Sequence, residues 1–368
     1  MGDTLPRFKA AAVQAAPVWL DRERTVGKAC ELIREAARNG AELIALPEVF
    51  IPAYPYWAWI DHAFAGYEFF KRLHLNSVKV PSEDTERLCR TAREADVHVV
   101  VGVNEIDPVR FGTIYNTNLF IDRRGRLMGK HRKLVATFSE KIVWGRGDGG
   151  TLRVYDTDIG RLGGLNCGEN TNTLARFALL AQGEQVHVAN YPAVPYKAGG
   201  GYDMESAIKI RSCAHAFEGK VFVVTSCGAL SKEIIDDVVR TEEQEALMAG
   251  KGNAVSGIYD PNGQCIGGPL LDDEGIVYAD IDLSEALPLK LMHDITGSYN
   301  RFDVFSLHLN RAPNDPLVIT GARKAETLER EAGEEEAPSF LPDALRQELR
   351  SLIREELNRL HPEAVGET

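Results

Sequence analysis

Residues 162–170 read LGGLNCGEN, and they place one cysteine, Cys167, where an apolar strand gives way to a helix. A side chain at such a turn is exposed, and the start of the helix favours the thiolate form of a cysteine. Glycines around Cys167 let another molecule approach the backbone closely. Most cysteines are small buried apolar residues, but a turn seldom needs a thiol. We interpret Cys167 as a candidate nucleophile.

The sequence around this turn alternates short β-rich runs with amphipathic stretches. Its periodicity predicts helices at residues 22–39, 85–95, 173–182, 204–218 and 231–248. Hairpins are expected within 112–130 and 152–165, with turns at 122–125 and 158–160. The pattern also predicts strands at residues 8–15, 42–46, 98–103, 116–121, 161–165, 185–189, 221–225, 252–259 and 276–281. These elements together indicate an α/β fold with a mixed sheet.

The composition changes after Pro316. Residues 324–339 are rich in Glu, Ala and Arg, which favours a solvated linker. Apolar residues then recur at helical spacing, at Leu345, Leu349, Leu352, Ile353, Leu357 and Leu360. We expect a domain at residues 1–316, and a C-terminal linker and amphipathic helix at 317–368. That helix packs either on its own domain or on a neighbouring subunit.

The charge balance excludes some partners. The chain has 54 acidic against 42 basic residues, a net charge of −12 that repels nucleic acid. Mean hydropathy is −0.21, and no apolar run is long enough for a membrane span. The N-terminal residues lack the features of a signal peptide. We therefore expect a cytoplasmic protein with no membrane or nucleic-acid partner.

The six cysteines give no sign of a metal site. None forms a C-x-x-C pair, and none is grouped with histidines at the spacing of metal ligands. A cytoplasmic chain of this length needs no disulfides. Apart from Cys167, we expect the cysteines to be structural and the protein to hold no metal.

Two further segments carry polar residues of interest. In ALPEVF (45–50) the carboxylate of Glu48 follows an apolar strand, a position normal for an exposed turn residue. In GKHRKL (129–134), followed by FSE (138–140) and WGRGDG (144–149), Lys133 and Glu140 lie near a glycine-rich turn. Neither segment is specific when taken alone.

Together, the order Glu, Lys, Cys resembles the nitrilase superfamily of carbon–nitrogen hydrolases. The chain is most similar to the nitrilase branch, through LPEVFIPAYPYW (46–57), HRKLVATFSEKIVWGRGDG (131–149) and GGLNCGEN (163–170). The resemblance covers roughly residues 8–310 and includes GSYNRFDVF (297–305). It implies a four-layer α-β-β-α sandwich and no cofactor, since a thiol, a carboxylate and an amine suffice for the chemistry.

The resemblance also implies roles for particular residues. Glu48 acts as general base, and Cys167 attacks the nitrile carbon to form a thioimidate. Lys133 stabilises the developing negative charge, and the N–H of Gly168 is a second donor. Glu140 orients Lys133 and the water. Two carboxylates beside one lysine should raise the pKa of one glutamate. The products are a carboxylic acid and ammonia.

The substrate-binding candidates are Tyr54, Trp57, Gly168 and Asn190. Tyr54 and Trp57, with nearby aromatic residues, follow Glu48 closely and suit an apolar pocket for an organic nitrile. Gly168 stands where many nitrilases have Trp, which leaves space for a bulkier substrate. Ser298 stands where relatives often have His, so a role for that histidine is in doubt here.

The resemblance further implies a homodimer or larger spiral homo-oligomer. Ala207, Ile210 and Ala214 are spaced to present such a helical interface. Three alternatives stay open: an aliphatic amidase or carbamoyl hydrolase with the same chemistry, an inactive filament-forming scaffold, and a papain-like enzyme that pairs Cys167 with a histidine. The histidines available for that pairing are His131, His187 and His215.

Overall fold

The computed structural model describes residues 3–194, 202–248 and 251–317. The chain divides into two units, Met1–Asn314 and Asp315–Thr368, and every helix and strand given below belongs to the first. The helix that the sequence predicts between Leu345 and Leu360 lies outside the described residues. No helix among the described residues combines the length and apolar character needed to cross a membrane.

Twelve strands in the described residues form one mixed sheet, ordered β5-β4-β3-β2-β1-β9-β8-β7-β6. Parallel pairs join β1 to β2 and β9, β2 to β3, and β7 to β8 to β9. Antiparallel pairs extend the edges, and β12 and β10 add to β1 and β9. The strands are β1 Arg7–Ala15, β2 Leu43–Ala45, β3 His98–Ile106, β4 Ile114–Ile121, β5 Leu127–Arg132, β6 Tyr155–Thr157, β7 Gly160–Asn166, β8 Val186–Tyr191, β9 Phe222–Gly228, β10 Val255–Tyr259, β11 Cys265–Leu271 and β12 Gly275–Asp282.

The described residues also form nine α-helices. They are α1 Arg22–Arg38, α2 Trp57–Ile60, α3 Tyr67–Leu75, α4 Glu83–Ala95, α5 Thr173–Ala181, α6 Met204–Gly219, α7 Lys232–Val238, α8 Glu242–Met248 and α9 Ala286–Met292. Helix α1 begins at Asp21, whose side chain accepts from the Arg24 N–H and so caps the first turn.

The sheet folds over so that its two halves pack face to face. In β1, Ala10 and Ala12 point into an inner core that also contains Phe120 and Val188 from opposite halves. The alternate residue Ala11 points into a second core formed with α1 and α4. A third core lies under α6. The chain therefore forms the four-layer α-β-β-α sandwich that the resemblance implies.

Most predicted elements are present, including both hairpins. The predicted helix at 231–248 is instead two helices, α7 and α8. Helix α7 ends at Val238, where Val239 takes an extended conformation, and the Thr241 side chain caps the start of α8 by accepting from the Gln244 N–H. Strand β11 was not predicted, because its sequence contains Gly-Gly-Pro; pairing with β10 forms it, with shifts in register.

The loop that carries Glu48 lies directly on strand β3 at Gly102. A Cβ atom added to Gly102 would lie 2.3 Å from both the Pro47 carbonyl oxygen and the Val49 nitrogen. The same loop hydrogen-bonds β3 on either side of this contact, from Leu46 to Val100 and from Ile51 to Gly102. Only glycine at position 102 lets the Glu48 backbone pack this closely.

We predict that Gly102→Ala lowers the free energy of unfolding by about 1–3 kcal/mol, because the backbone on the other side of the contact must move. Urea unfolding followed by circular dichroism measures this change.

Gly27→Ala in helix α1 is the matched control. The nearest atom to its added Cβ is Arg87 Nη2 at 4.0 Å, so the substitution meets no obstacle. Replacing a helical glycine with alanine should raise the free energy of unfolding by about 0.5–1 kcal/mol. Equal stability changes at positions 27 and 102 would contradict the packing argument.

Candidate active site

A buried lysine lies between two buried carboxylates at one end of the sandwich. Lys133 Nζ donates to Glu48 Oε1 at 2.7 Å and to Glu140 Oε2 at 2.7 Å. All three residues are at most 2% exposed. Lys133 follows β5 and is fixed through its N–H, which donates to the Asn116 carbonyl at 2.8 Å. The structure therefore brings together three residues that the sequence named from distant segments.

The two oxygens of Glu48 differ in their surroundings. Oε1 accepts from Lys133 and from Asn116 Nδ2, the latter at 2.5 Å. Oε2 is buried and has no hydrogen-bond partner among the described residues. Burial, helped by the nearby Glu140 charge, outweighs Lys133 and raises the pKa of Glu48 from 4.5 to about 7. Glu48 thus has one oxygen able to accept a proton near neutral pH.

Glu140 is held from several sides. It lies in the 3₁₀ turn Phe138–Ile142, and its Oε2 also accepts from the Thr137 N–H at 2.7 Å. Tyr54 Oη donates to Glu140 Oε1 at 2.7 Å, and Trp59 Nε1 donates to Tyr54 Oη at 2.6 Å. These contacts leave the Glu140 carboxylate one orientation, with Oε2 towards Lys133.

The side chain of Lys133 stays protonated. Burial alone would lower the pKa of Lys133, but the charges of Glu140 and Glu48 outweigh it and raise that pKa above its ordinary value. The ammonium therefore persists at neutral pH and can face a developing anion.

Cys167 begins the 3₁₀ turn Cys167–Thr171, directly after β7. Its φ is +44°, a left-handed conformation that costs energy for a residue with a side chain. Burial and the Glu48 charge raise the pKa of the Cys167 thiol well above its usual value, against the opposing effect of Lys133. These effects favour the protonated thiol, against the thiolate that the strand-to-helix position alone would favour. A neighbouring base must remove the proton.

A chain of hydrogen bonds fixes the backbone at Cys167. Asn170 Nδ2 donates to the Cys167 carbonyl at 3.1 Å and to the Leu165 carbonyl at 3.3 Å, which sets the orientation of the amide. Asn170 Oδ1 then faces His187 Nε2 at 2.8 Å, and His187 Nδ1 faces Glu184 Oε1 at 2.8 Å. Both ring nitrogens of His187 therefore lie at hydrogen-bond distance from side-chain oxygens, which fixes the ring between Asn170 and Glu184.

Glu184 also binds a second imidazole. Its Oε2 lies 2.8 Å from His215 Nε2, and the rings of His187 and His215 are 4.1 Å apart. Burial would raise the pKa of Glu184, but the two histidines outweigh burial and lower it to about 2. Burial and His187 lower the pKa of His215 to about 4. The three groups are close enough to share a metal ion, but both Glu184 oxygens lie at hydrogen-bond distance from imidazole nitrogens. We interpret them as an ion-pair network.

A cavity of about 370 Å³ opens at Cys167. Gly168 is one of its walls, and a Cβ atom there would lie 2.6 Å from Thr137 Oγ1, so the space beside this glycine is filled by Thr137. The described residues that line the cavity are Tyr54, Trp59, Thr137, Phe138, Glu140, Cys167, Gly168, Val194, Tyr202, Met204 and Arg211.

Two of the substrate-binding candidates lie outside this cavity lining. Trp57 is buried in the core and stacks on Phe69, with ring centroids 5.1 Å apart. Asn190 lies between the sheet halves and donates to Asn118 Oδ1 at 3.0 Å. Trp59, two residues after Trp57, lines the cavity instead.

The histidines considered as partners of Cys167 are engaged elsewhere. His131 Nε2 lies 3.0 Å from Glu169 Oε2, and His187 and His215 belong to the Glu184 network. None of the three is among the described residues that line the cavity. The structure therefore offers no Cys–His pair of the papain type among these residues.

Sequence reasoning missed Asn116, Asn170 and Arg211. Asn116 and Asn118 are polar residues at alternate positions of a buried strand, a pattern that could have indicated a polar interior. Asn170 lies within the quoted motif but gave no sign of its contact to Cys167. Arg211 had no signal, since one arginine on a helix is usually solvated.

The similarity of the chain to known proteins covers all the residues of this site. The carbon–nitrogen hydrolase family model matches residues 9–290. The chain is 40% identical over 324 residues to a nitrilase from Bacillus sp. (strain OxB-1), covering 88% of this chain and 94% of that protein. It is 41% identical over 335 residues to an aliphatic nitrilase from Rhodococcus rhodochrous, covering 89% of each. A carbon–nitrogen hydrolase structure from Helicobacter pylori G27 is similar in fold, with a TM-score of 0.62, 18% identity, and coverage of 78% of this chain and 93% of that chain.

We predict that Glu184→Gln lowers the free energy of unfolding by about 1–3 kcal/mol, because one of the two buried carboxylate oxygens that face imidazole nitrogens is replaced by an amide group. Chemical denaturation at neutral pH measures the change.

Glu205→Gln is the control, since Glu205 pairs with Lys209 at 2.6 Å on α6 and both side chains are partly exposed. Its loss should stay below about 1 kcal/mol. If the two glutamine variants lose equal stability, the Glu184 cluster is not the ion-pair network described above.

Proposed function

The chain belongs to the carbon–nitrogen hydrolase family, and from this premise we propose that it converts an organic nitrile and two waters into a carboxylic acid and ammonia. The observation that carries this proposal is the Lys133 ammonium held between Glu48 and Glu140, next to the cavity that contains Cys167. The relatives named nitrilase support nitriles as the substrate class.

The reaction begins with the protonated thiol of Cys167. Glu48 takes the thiol proton as the sulfur attacks the nitrile carbon, and the free Oε2 is the oxygen suited to this task. The electron pair of the C–N bond moves to nitrogen, which receives the proton from Glu48 and becomes a thioimidate. A carboxyl group with a pKa of about 7 both accepts and returns this proton near neutrality.

Lys133 acts where negative charge develops. Its ammonium faces the nitrogen during attack, and the oxygen when water adds to the thioimidate. The backbone N–H of Gly168 is a second donor for that oxygen. One such donor is worth about 3 kcal/mol of transition-state stabilisation. Glu140 keeps Lys133 charged and oriented through the 2.7 Å contact.

Two hydrolytic steps complete the cycle. Glu48 removes a proton from water as the water oxygen adds to the thioimidate carbon, and then gives that proton to the nitrogen. The hydroxyl proton of the tetrahedral adduct also moves to the nitrogen as the C–N bond breaks, which releases ammonia and leaves a thioester. A second water, activated in the same way, hydrolyses the thioester to the carboxylic acid and restores the thiol. Tyr54, Trp59 and Phe138 provide the aromatic walls for the organic part of the substrate.

We also propose a homodimer or larger spiral in the cytoplasm, with residues 317–368 as a separate segment. Ile210 is 66% exposed on α6, between the partly buried Ala207 and Ala214, which supports this helix as a contact surface. All six cysteines are free thiols, as suits a reducing compartment.

We predict that Cys167→Ala lowers ammonia release from nitriles by about 10⁴-fold or more, because no covalent intermediate forms. The measurement is an ammonia assay over aliphatic, aromatic and arylacetonitriles, each with its matching amide. If the original enzyme releases ammonia from the amides and not from the nitriles, it is an amidase and not a nitrilase.

Cys265→Ala is the matched control, because Cys265 is exposed on β11 and should be dispensable. Both variants should have the circular dichroism spectrum of the original chain. Ammonia release retained by the folded Cys167→Ala protein would remove the proposed mechanism.

The pH profile of kcat/KM should fall on the acid side of about pH 7, tenfold for each further unit, because protonated Glu48 cannot accept the thiol proton. Initial rates between pH 5 and pH 9, on enzyme shown to stay folded, test this. A profile that stays level down to pH 5 would exclude Glu48 as the base.

A further inference from the structure

Arg211 brings a positive charge into the cavity that holds Cys167. It lies on α6 seven residues after Met204, and both side chains line the cavity from the same face of the helix. The other described residues that line the cavity are mainly aromatic and apolar, and Arg211 is the one cationic side chain among them. Arg211 is half-buried at this position, so its charge is only partly screened by water and can attract an anion in the cavity.

No Asp or Glu among the described residues forms an ion pair with Arg211, and Glu140, the acidic residue that lines the same cavity, pairs with Lys133. Its Nε donates to Thr171 Oγ1 at 2.6 Å and its Nη2 to Tyr202 Oη at 2.5 Å, and both acceptors are hydroxyl oxygens. By contrast, Lys133 has two carboxylates, and Arg176 on the adjacent helix α5 pairs with Glu218 at 2.9 Å. Residues 195–201, which the structure does not describe, read PYKAGGG and contain no Asp or Glu.

The contacts of Arg211 orient its guanidinium without neutralising it. A guanidinium has five N–H donors in one plane, and two of them are used by Thr171 and Tyr202. The remaining donors form the planar fork that binds a carboxylate through two parallel hydrogen bonds. A single cation balances a single negative charge, which favours a carboxylate over a doubly charged phosphate.

We propose that the preferred substrates are nitriles that also carry a carboxylate, bound with the carboxylate on Arg211 and the nitrile carbon at Cys167. This inference rests on the proposed nitrile hydrolysis and adds the substrate class. It makes Arg211 a specificity-determining residue, whose contribution depends on the charge of the substrate.

Arg211 also affects the Cys167 thiol, and this effect depends on the substrate in a different way. Its positive charge lowers the pKa of the Cys167 thiol, against the larger effects of burial and Glu48. That effect acts on the nucleophile and changes the rate for every substrate by the same factor. Recognition of a carboxylate changes the rate for anionic substrates alone, so the two roles are separable by experiment.

The test compares cyano acids with neutral nitriles of the same shape. The acids have two, three or four methylene groups between nitrile and carboxylate, and in each neutral partner an isopropyl group replaces the carboxylate. We expect kcat/KM of the original enzyme to be about 10–100-fold higher for the cyano acid of the best length than for its partner.

Arg211→Gln should remove this preference, so that the ratio of kcat/KM between each cyano acid and its neutral partner falls to about one, whatever common factor the loss of charge near Cys167 imposes on both substrates. Arg211→Lys should restore part of the preference, because it keeps the charge without the planar fork. Lys209→Gln is the matched control: it removes one positive charge from the same helix, at a residue that is not among those lining the cavity. It should keep the preference for the acids.

The outcomes separate this inference from the proposed function. Hydrolysis of neutral nitriles without any preference for the acids overturns the inference and leaves nitrile hydrolysis standing. An equal loss by Arg211→Gln on acids and neutral partners also overturns it, in favour of the effect on the thiol. Absence of ammonia release from every nitrile of both panels refutes the proposed function itself.

Discussion

The ammonium of Lys133 between two carboxylates is the interaction on which the rest of the structure depends. Removing three charged groups from water costs several kcal/mol for each ion, and only short hydrogen bonds of good geometry offset that cost. The contacts from Lys133 Nζ to Glu48 and Glu140, both 2.7 Å, meet this condition. Glu48 follows β2, Lys133 follows β5 and Glu140 lies in a 3₁₀ turn, so the ammonium meets both carboxylates only after the sheet has formed.

Burial of this cluster explains the state of the nucleophile. Burial, helped by the Glu140 charge and opposed by Lys133, raises the pKa of Glu48 to about 7. Burial and the Glu48 charge, opposed by Lys133, raise the pKa of the Cys167 thiol well above its usual value. The resting site is a neutral nucleophile with its base nearby, and charge separates only when the electrophile is present. The backbone of Cys167, strained at φ +44°, is meanwhile tied through Asn170 and His187 to Glu184.

The sequence carried the four-layer fold and the four residues Glu48, Lys133, Glu140 and Cys167, because motifs in a fixed order are specific when taken together. The direction in which neighbouring side chains point could not be predicted from the sequence. Trp57 and Trp59 are two residues apart in α2, about 200° around the helix, so one enters the core and the other the cavity.

Other misses have the same origin. Asn190 points between the sheet halves because side chains alternate along β8, and the face it occupies depends on register. Which face of α6 meets the cavity follows from the packing of the whole sandwich, and for this reason Arg211 had no local signal. Thr241, a residue type that often caps a helix, was the local signal for the division between α7 and α8, but the helical periodicity of apolar residues continues across it.

The contact between Gly168 and Thr137 makes these two positions one evolutionary unit. While Thr137 Oγ1 lies 2.6 Å from where a Cβ would stand, any side chain at position 168 is penalised. Once alanine replaces Thr137, the nearest atom to that Cβ from residue 137 is its own Cβ, at 3.6 Å, an ordinary distance. The effect of a substitution at position 168 therefore depends on the residue at position 137, which is a case of epistasis. A mutant library that varies position 168 alone tests every side chain while Thr137 still blocks the space.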